Sequence, residues 1–163
     1  MTTVTDGSYR SRILGLLGER NPVESLESSA KRVEAVARKL GDAGLSPSWG
    51  PGKWTGKQIL AHLADAEMAI GFRTRQVLAQ DNHTIQPFDE SAWARRYENV
   101  DAEAALGAFL AQRRWNLALF RALAPSDLAR AAVHPERGPE TLDTIIRLLA
   151  GHDLNHLAQL EKL

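Results

Sequence analysis

The sequence contains no cysteine. This absence excludes a disulfide framework, a thiolate metal ligand and a cysteine nucleophile, so any thiol chemistry needs a sulfur atom from outside the chain. A bound metal ion would have to be held by histidine, aspartate or glutamate side chains. Metal chemistry and thiol chemistry are therefore restricted to these ligands and to an external thiol.

An excess of charge of either sign is also lacking. Twenty lysine and arginine residues balance twenty aspartate and glutamate residues, so no field of one sign attracts phosphate backbones or an anionic membrane. No apolar run reaches the roughly eighteen residues of a membrane span, and the N-terminal residues lack the pattern of a secretory signal. We therefore expect a cytoplasmic protein that binds neither nucleic acid nor membrane.

Hydrophobic residues make up 44% of the 163 positions, which is enough for one domain with a continuous core. Apolar residues recur at spacings of three and four in four segments, and this period is typical of amphipathic helices. No strand-like alternation is visible. The sequence therefore predicts an all-α four-helix bundle, with a single domain over residues 1–163.

Capping signals set the bounds of the four predicted helices. The first, over about residues 22–41, begins at Asn21, and the second, over about 56–80, begins with a Thr to Gln capping box at Thr55. The third covers about residues 101–123, and the fourth begins at Gly138 and Pro139. Residues 1–20 are expected to form an N-terminal extension with a short helical turn.

Two histidines, His152 and His156, occupy the apolar stripe of the fourth helix. Their Cβ atoms lie about 6 Å apart on one helix face, so both imidazoles can reach one metal ion. His62 lies about 9 Å from the start of the second helix, and His156 lies about 10 Å from the end of the fourth. The three rings therefore share a height if the second and fourth helices are antiparallel.

The connection between the second and third helices decides this orientation. It has about twenty residues, 81–100, and is long enough to cross the bundle, so that the third helix runs parallel to the second and the fourth returns antiparallel. A simple up-down-up-down bundle would instead separate the rings by roughly 15 Å. The sequence thus predicts a long crossover and a three-histidine site for a divalent transition metal.

The alternative is that each histidine is a neutral core residue with a hydrogen-bonded neighbour. Asp65, Asn155 and Gln159 are the candidate neighbours, and the same side chains could instead orient a metal-ligating ring or a bound water. These two interpretations make different demands on the surroundings of the rings. Burying three imidazoles without compensation would cost several kcal/mol, so the presence of all three in inward stripes favours the metal site.

Other polar residues have two interpretations each. Arg113 falls on the inward stripe of the third helix, where it forms a salt bridge with a carboxylate of the second helix or contacts a substrate carboxylate. His83 and His134 lie in predicted loops and are expected to be surface residues. Trp93 in the crossover could cover the pocket or pack against the bundle, and packing is expected.

Three stretches carry a resemblance to a known family: GKWTGKQILAHLADAE, IQPFDESAWARRY and GPETLDTIIRLLAGHDLNHLAQLEKL. With its tryptophan before a histidine and its terminal HDxxHxxQ pattern, the sequence resembles the DinB/YfiT superfamily of small metal-binding four-helix proteins. The resemblance implies a bundle with a long second crossover. It also implies that His62, His152 and His156 bind zinc, nickel or iron.

The resemblance suggests a function as well. Characterised members include enzymes that depend on bacterial low-molecular-weight thiols such as bacillithiol or mycothiol, so we expect a metal-dependent enzyme of thiol-transferase type with a small-molecule substrate. Three neutral imidazoles leave coordination positions open, so a metal-dependent hydrolase that activates water is an alternative. A noncatalytic metal-binding or stress-response bundle is another. A homodimer is also expected from the resemblance.

Overall fold

Four long helices and six shorter elements make up the structure, a computed structural model that describes residues 6–97 and 99–163. In these residues no helix is both long and apolar enough to cross a membrane. The long helices are α2 (Pro22–Leu45), α3 (Gly56–Ala79), α5 (Ala102–Arg121) and α7 (Leu142–Leu160). The shorter elements are α1 (Asp6–Leu17), β1 (His83–Thr84), α4 (Glu90–Ala94), α6 (Pro125–Leu128), β2 (Ala131–His134) and β3 (Gly138–Thr141).

The first two long helices begin where the sequence predicts. The Asn21 side chain caps α2 by accepting hydrogen bonds from two backbone N–H groups, and Thr55 forms the expected capping box with Gln58 at the start of α3. Helix α2 continues past its predicted end because Gly41 kinks the chain, with a φ of 62°, instead of ending the helix. Helix α5 lies within the predicted range of 101–123.

The predicted start of the fourth helix is wrong. Gly138 and Pro139 belong to β3, which pairs antiparallel with β2, and α7 begins only after its N-cap residue Thr141. Strand β3 lies at an edge of a three-stranded sheet in the order β1-β2-β3, a position where the missing N–H of proline is tolerated. The four-helix bundle is confirmed, but a small sheet accompanies it.

Helix α5 runs parallel to α3. Near the middle of both helices, the carbonyl of Ala64 accepts a hydrogen bond from Gln112, and farther along both, Arg75 donates to the side chain of Asn116. Contacts therefore advance in the same direction on the two helices. A parallel neighbour is what the long crossover between α3 and α5 predicts.

Helix α7 runs antiparallel to α3. Leu163, just after α7, lies against Gly56 at the start of α3, whereas His62, farther along α3, meets His152, farther back in α7. Because contacts advance in opposite directions, the predicted antiparallel arrangement is confirmed. This arrangement places the part of α3 that carries its histidine at the same height in the bundle as the part of α7 that carries the other two.

The N-terminal extension is more regular than the predicted short turn. Helix α1 has 12 residues and packs on α7. The approach is very close at Gly151, because a Cβ atom on this residue would lie 2.1 Å from the carbonyl oxygen of Ile13. Glycine at this position therefore lets α1 cover the part of α7 that precedes His152.

The apolar core consists of two clusters with buried polar residues between them. Along α5, Leu106 and Phe109 belong to the first cluster and Leu117 and Phe120 to the second. Arg113 lies between these pairs and is only 1% exposed. The bundle therefore contains an internal polar layer, next to which the histidines lie.

Candidate metal centre

Three histidines meet inside the bundle. His62 lies on α3, and His152 and His156 lie one turn apart on α7. The Nε2 atoms of His62 and His152 are 2.7 Å apart, and one nitrogen from each of the three rings lies within 4.8 Å of the others. The structure thus brings together the three side chains that the sequence singles out as metal ligands.

Trp54 packs against two of the three rings. Its indole is stacked on His156, with the ring centroids 6.0 Å apart and the planes inclined by 11°, and its centroid lies 4.8 Å from that of His62. Trp54 directly precedes the N-cap residue Thr55, so the same local structure that starts α3 also fixes the indole. This aromatic contact limits the rotation of the imidazoles.

Burial keeps the three imidazoles neutral. It lowers the pKa of His62 to about 3, with a further contribution from the charge that His156 would carry, and lowers the pKa of His152 well below the usual value. Burial also lowers the pKa of His156 to about 4, although the hydrogen bond with Gln159 acts in the opposite direction. Neutral imidazole is the form that binds a metal ion, so the rings are ready to bind at neutral pH.

Of the three expected polar neighbours, one contacts a ring. The side-chain oxygen of Gln159 lies 2.8 Å from Nδ1 of His156, which leaves Nε2 of that ring free. Asp65 is instead bound by the hydroxyl of Tyr97 in the crossover, and Asn155 accepts a hydrogen bond from Arg12 of α1. The roles suggested for Asp65 and Asn155 beside the histidines are therefore not supported by their contacts.

Nδ1 of His152 is buried and has no hydrogen-bond partner within residues 6–97 and 99–163. The close approach of His62 to His152 can satisfy one nitrogen of each ring only if one of the two carries the proton there. The hydrogen bonding of the pair His62 and His152 is therefore incomplete for two buried core histidines. The interpretation as ordinary hydrogen-bonded core residues therefore fits His156 better than His152.

Arg113 takes part in a structural network and does not line the pocket beside the histidines. Its guanidinium donates to Glu67 of α3 at 2.6 and 2.9 Å and to Asp153 of α7 at 2.7 Å. Burial lowers its pKa, but the two carboxylates outweigh this effect and raise it overall. The suggested contact of Arg113 with substrate is therefore wrong, because salt bridges to α3 and α7 occupy its guanidinium.

A pocket of about 470 Å³ adjoins the cluster, and His62 and His152 form part of its wall. Further residues of α3 and α7, together with helix α1, the crossover and the β2–β3 hairpin, supply the remaining walls. His134 of β2 also lines this pocket and is only 2% exposed, so its prediction as a surface residue is wrong. The hairpin, absent from the prediction, turns this side chain inward. His83 on β1 is partly exposed and pairs with Gln80.

Two further residues of the pocket, Glu90 and Arg73, are not among the site residues that the sequence predicts. Glu90, in the crossover, places a carboxylate oxygen 3.9 Å from Nε2 of His62, and Arg73 of α3 lines the same pocket. Partial burial, with a smaller effect of the neighbouring Asp89, raises the pKa of Glu90. The position of Glu90 depends on the path of the crossover, which no local pattern predicts. Arg73 lies on the same face of α3 as His62, and the spacing of the two residues in the sequence indicates this shared face.

The donor set fits a divalent transition metal. Nitrogen ligands at 2.0–2.1 Å in tetrahedral geometry lie about 3.3 Å from one another, and the nitrogens here span separations from 2.7 Å to at most 4.8 Å. The unpartnered nitrogen of His152 belongs to a ring whose Nε2 points at His62. The spacing that the ligands of one tetrahedral ion require therefore lies within the range of these separations.

Comparisons with known proteins cover most of the chain. The sequence profile of the DinB superfamily matches residues 25–160. The chain belongs to the DinB superfamily. The matched segment contains all three histidines of the cluster, as well as the whole of the α3–α5 crossover. The resemblance found in the sequence is therefore confirmed.

Several named proteins are similar to this chain over most of their length. A protein of Oceanobacillus iheyensis named “Putative metal-dependent hydrolase OB0782” is 32% identical over 143 residues, which cover 86% of this chain and 83% of the other. “Putative metal-dependent hydrolase YfiT” of Bacillus subtilis is 28% identical over 145 residues, covering 86% and 81%. Metal dependence is thus part of the names of these relatives.

A solved structure has the same architecture. YfiT from Bacillus subtilis, described as “a probable metal-dependent hydrolase with an unusual four-helix bundle topology”, superposes with a TM-score of 0.80 at 25% identity. The match covers 86% of this chain and 82% of the other. Helices α3 and α5 of this chain run parallel, and this agrees with the description of YfiT as a four-helix bundle of unusual topology.

Proposed function

We propose that this protein is a metal-dependent enzyme that binds an external thiol at the three-histidine site and transfers its sulfur to a small electrophile. The observation that carries the proposal is that the cluster opens on the pocket through His62 and His152. A purely structural metal site would be closed on all sides by protein ligands. An open site beside a pocket supports catalysis.

The side chains of the cluster have separate tasks. His62, His152 and His156 would hold a divalent transition metal, which supplies a Lewis acid that lowers the pKa of a coordinated thiol or water. Gln159 holds the ring of His156 through Nδ1, and Trp54 restricts the rings of His156 and His62. These contacts preorganise the donors before any ligand enters.

The pocket provides room for the second reactant. Its volume of about 470 Å³ lies within the usual range for small-molecule sites. In the transfer, the thiol gives its proton to solvent water, its sulfur forms a bond to the electrophilic carbon, and the leaving group departs with the electron pair of the broken bond. The thiol must come from outside because the chain has no cysteine.

Hydrolysis is the second candidate, and the names of the relatives favour it. The same open site could activate water in place of a thiol, and Glu90 offers the carboxylate oxygen next to His62 that would accept a hydrogen bond from either. The two candidates use the same residues and differ in the nucleophile. They can therefore be separated by supplying or withholding the thiol.

Monochlorobimane provides the test of transfer, because displacement of its chloride by a thiol gives a fluorescent product. We expect the metal-loaded protein to catalyse this reaction with bacillithiol or mycothiol, and His156→Ala to lose at least about a hundredfold in rate, in the range of other metal-site disruptions. His83→Ala is the matched control, since His83 lies outside the cluster. Its activity should equal that of the wild-type protein.

An ester such as p-nitrophenyl acetate, supplied without thiol, tests hydrolysis. Metal-dependent release of p-nitrophenolate that is lost in His156→Ala would support the second candidate. If neither reaction depends on metal, both candidates are wrong and a noncatalytic metal-binding bundle is favoured. The expected homodimer stays a prediction, which sedimentation of the wild-type protein would test.

A further inference from the structure

Arg73 lies on the same face of α3 as His62. The two residues are eleven positions apart, which is close to three full helical turns and about 16 Å along the axis. Between them, Ala66 and Ile70 also line the pocket. This face of α3 therefore forms one continuous wall, with a metal ligand near one end and a guanidinium near the other.

The guanidinium of Arg73 is buried without a carboxylate partner. The residue is 7% exposed, and in the described part of the chain its one hydrogen bond goes from Nη2 to the carbonyl of Gln86, at 2.8 Å. Its guanidinium carbon also lies 5.4 Å from the centre of the Phe88 ring. Neither partner carries a charge, so the positive charge of Arg73 is not neutralised by a direct contact.

Other arginines in similar positions are compensated. Buried Arg113 binds two carboxylates, and Arg137, in the hairpin wall of the pocket, binds Glu140 at 2.8 Å. Burial lowers the pKa of Arg73, repulsion from Arg137 lowers it further, and Glu140 acts in the opposite direction. A buried charge without a partner is costly unless a ligand supplies the counter-charge.

The carboxylates that line the pocket have other positions and contacts. Glu90 lies beside His62, Asp89 caps α4 by accepting from the backbone N–H of Ala92, and Glu136 is exposed in the hairpin turn. In the described residues, none of these three carboxylates forms a salt bridge with Arg73, because none has an oxygen within 4.0 Å of its guanidinium nitrogens. The end of the pocket at Arg73 thus lacks a carboxylate that the protein itself provides.

We propose that Arg73 binds a carboxylate group of the substrate while the reactive end of the same molecule lies at the three-histidine site. This inference rests on the proposed function and specifies its substrate class: an elongated small molecule with a terminal carboxylate. A guanidinium fork matches a carboxylate in geometry as well as in charge. Arg73 then makes the contact with a substrate carboxylate that the sequence pattern allows for Arg113.

Thiols that carry a terminal carboxylate can test both ends of the site at once. Cobalt-loaded protein would be titrated with ω-mercaptoalkanoates of about three to eight methylene groups, and with the matching ω-mercaptoalkanamides, within the size range of small-molecule ligands. The thiolate-to-cobalt absorption band reports binding at the histidines. We expect the acid to bind at least about tenfold more tightly than the amide at the best chain length, as for one charge-assisted pair.

Substitutions on α3 assign this preference to one residue. Arg73→Gln should abolish the preference for the acid without weakening the amide, and Arg73→Lys should retain part of it, since lysine keeps the charge but not the fork. Arg75→Gln is the matched control. Arg75 lies two residues farther along α3 and contacts Asn116 and the ring of Trp115, outside the metal pocket.

The outcomes separate this proposal from the proposed function. Equal binding of acid and amide to the wild-type protein, or an unchanged preference in Arg73→Gln, overturns the role of Arg73. Absence of the absorption band with every thiol contradicts thiol binding at the histidines. The role of Arg73 in binding a carboxylate is then tested by a second measurement. In that measurement, ligand-observed NMR compares hexanoate with hexanamide on metal-free protein, and equal binding of the two overturns the proposal.

Discussion

Two groups of buried polar side chains lie almost side by side in this bundle and differ in how they are satisfied. In one, Arg113 binds Glu67 and Asp153, and Asn116 donates to the second oxygen of Glu67 at 2.9 Å. In the other, three histidine rings face one another, and Nδ1 of His152 has no partner. Both groups draw on α3 and α7.

The difference separates structure from function. A buried network whose members compensate one another can exist without any ligand, and its role is to hold helices together in one register. A buried cluster of one residue type, with neutral rings aimed at a common point, lacks such compensation and gains it when a cation binds. Burial alone does not distinguish the two groups, and in the described residues each has one buried atom without a hydrogen bond, Oδ1 of Asp153 and Nδ1 of His152. The ion pairs of Arg113 with Glu67 and Asp153 do distinguish them.

The largest effect is expected from breaking the compensated network. In Arg113→Leu, Glu67 and Asp153 would remain buried without their counter-charge, so we expect the free energy of unfolding of the metal-free protein to fall by about 3–5 kcal/mol. Urea denaturation followed by circular dichroism measures this change. Arg32→Leu is the control, because it removes the exposed pair with Glu161 and should cost less than about 1 kcal/mol. Similar losses in both variants would contradict a special role for the network.

The opposite result is expected for the histidine cluster. In His152→Leu, an apolar side chain of similar size replaces a ring with an unpartnered nitrogen, so the metal-free protein should change in unfolding free energy by less than about 1 kcal/mol. Binding of zinc should weaken by at least about a hundredfold, and the stabilisation that zinc gives the wild-type protein should disappear. Competition with a chromophoric chelator measures the affinity.

Two outcomes of this experiment would contradict the comparison between the two groups. If His152→Leu destabilised the metal-free protein as strongly as Arg113→Leu, the histidines would be part of the structural core. If instead zinc bound the variant as tightly as the wild-type protein, His152 would not be a ligand. Either result would also remove the main support for the proposed function.

Much of the fold and of the metal cluster could be predicted from local signals. The caps at Asn21 and Thr55 are sequence-local, because each side chain bonds to a backbone group a few residues away. The heights of His62 and His156 follow from the rise of the helix and from the length of one connection. These quantities depend on counting residues and on few long-range contacts.

The surroundings of the site could not be predicted in the same way. Strands β2 and β3 have four residues each, too short for a visible alternation, and without the hairpin His134 has no reason to be buried. The pairing of Asp65 with Tyr97 depends on the path of the crossover. For Arg113, both of the expected roles matched the sequence pattern, and only the partners Glu67 and Asp153 decide between them.

The smallest effect is expected at the polar neighbours of the rings, where Gln159 and Asn155 form a matched pair on α7. Gln159 contacts Nδ1 of His156, whereas Asn155, next to His156 in sequence, accepts from Arg12. We expect Gln159→Ala to weaken zinc binding by about 10–100-fold, since loss of such a contact frees the ring to rotate, and Asn155→Ala to change it less than about threefold, because its oxygen does not contact a ring. The same chelator competition measures both affinities. Equal effects of the two substitutions would mean that proximity in sequence, and not the hydrogen bond to the ring, determines the contribution of these neighbours.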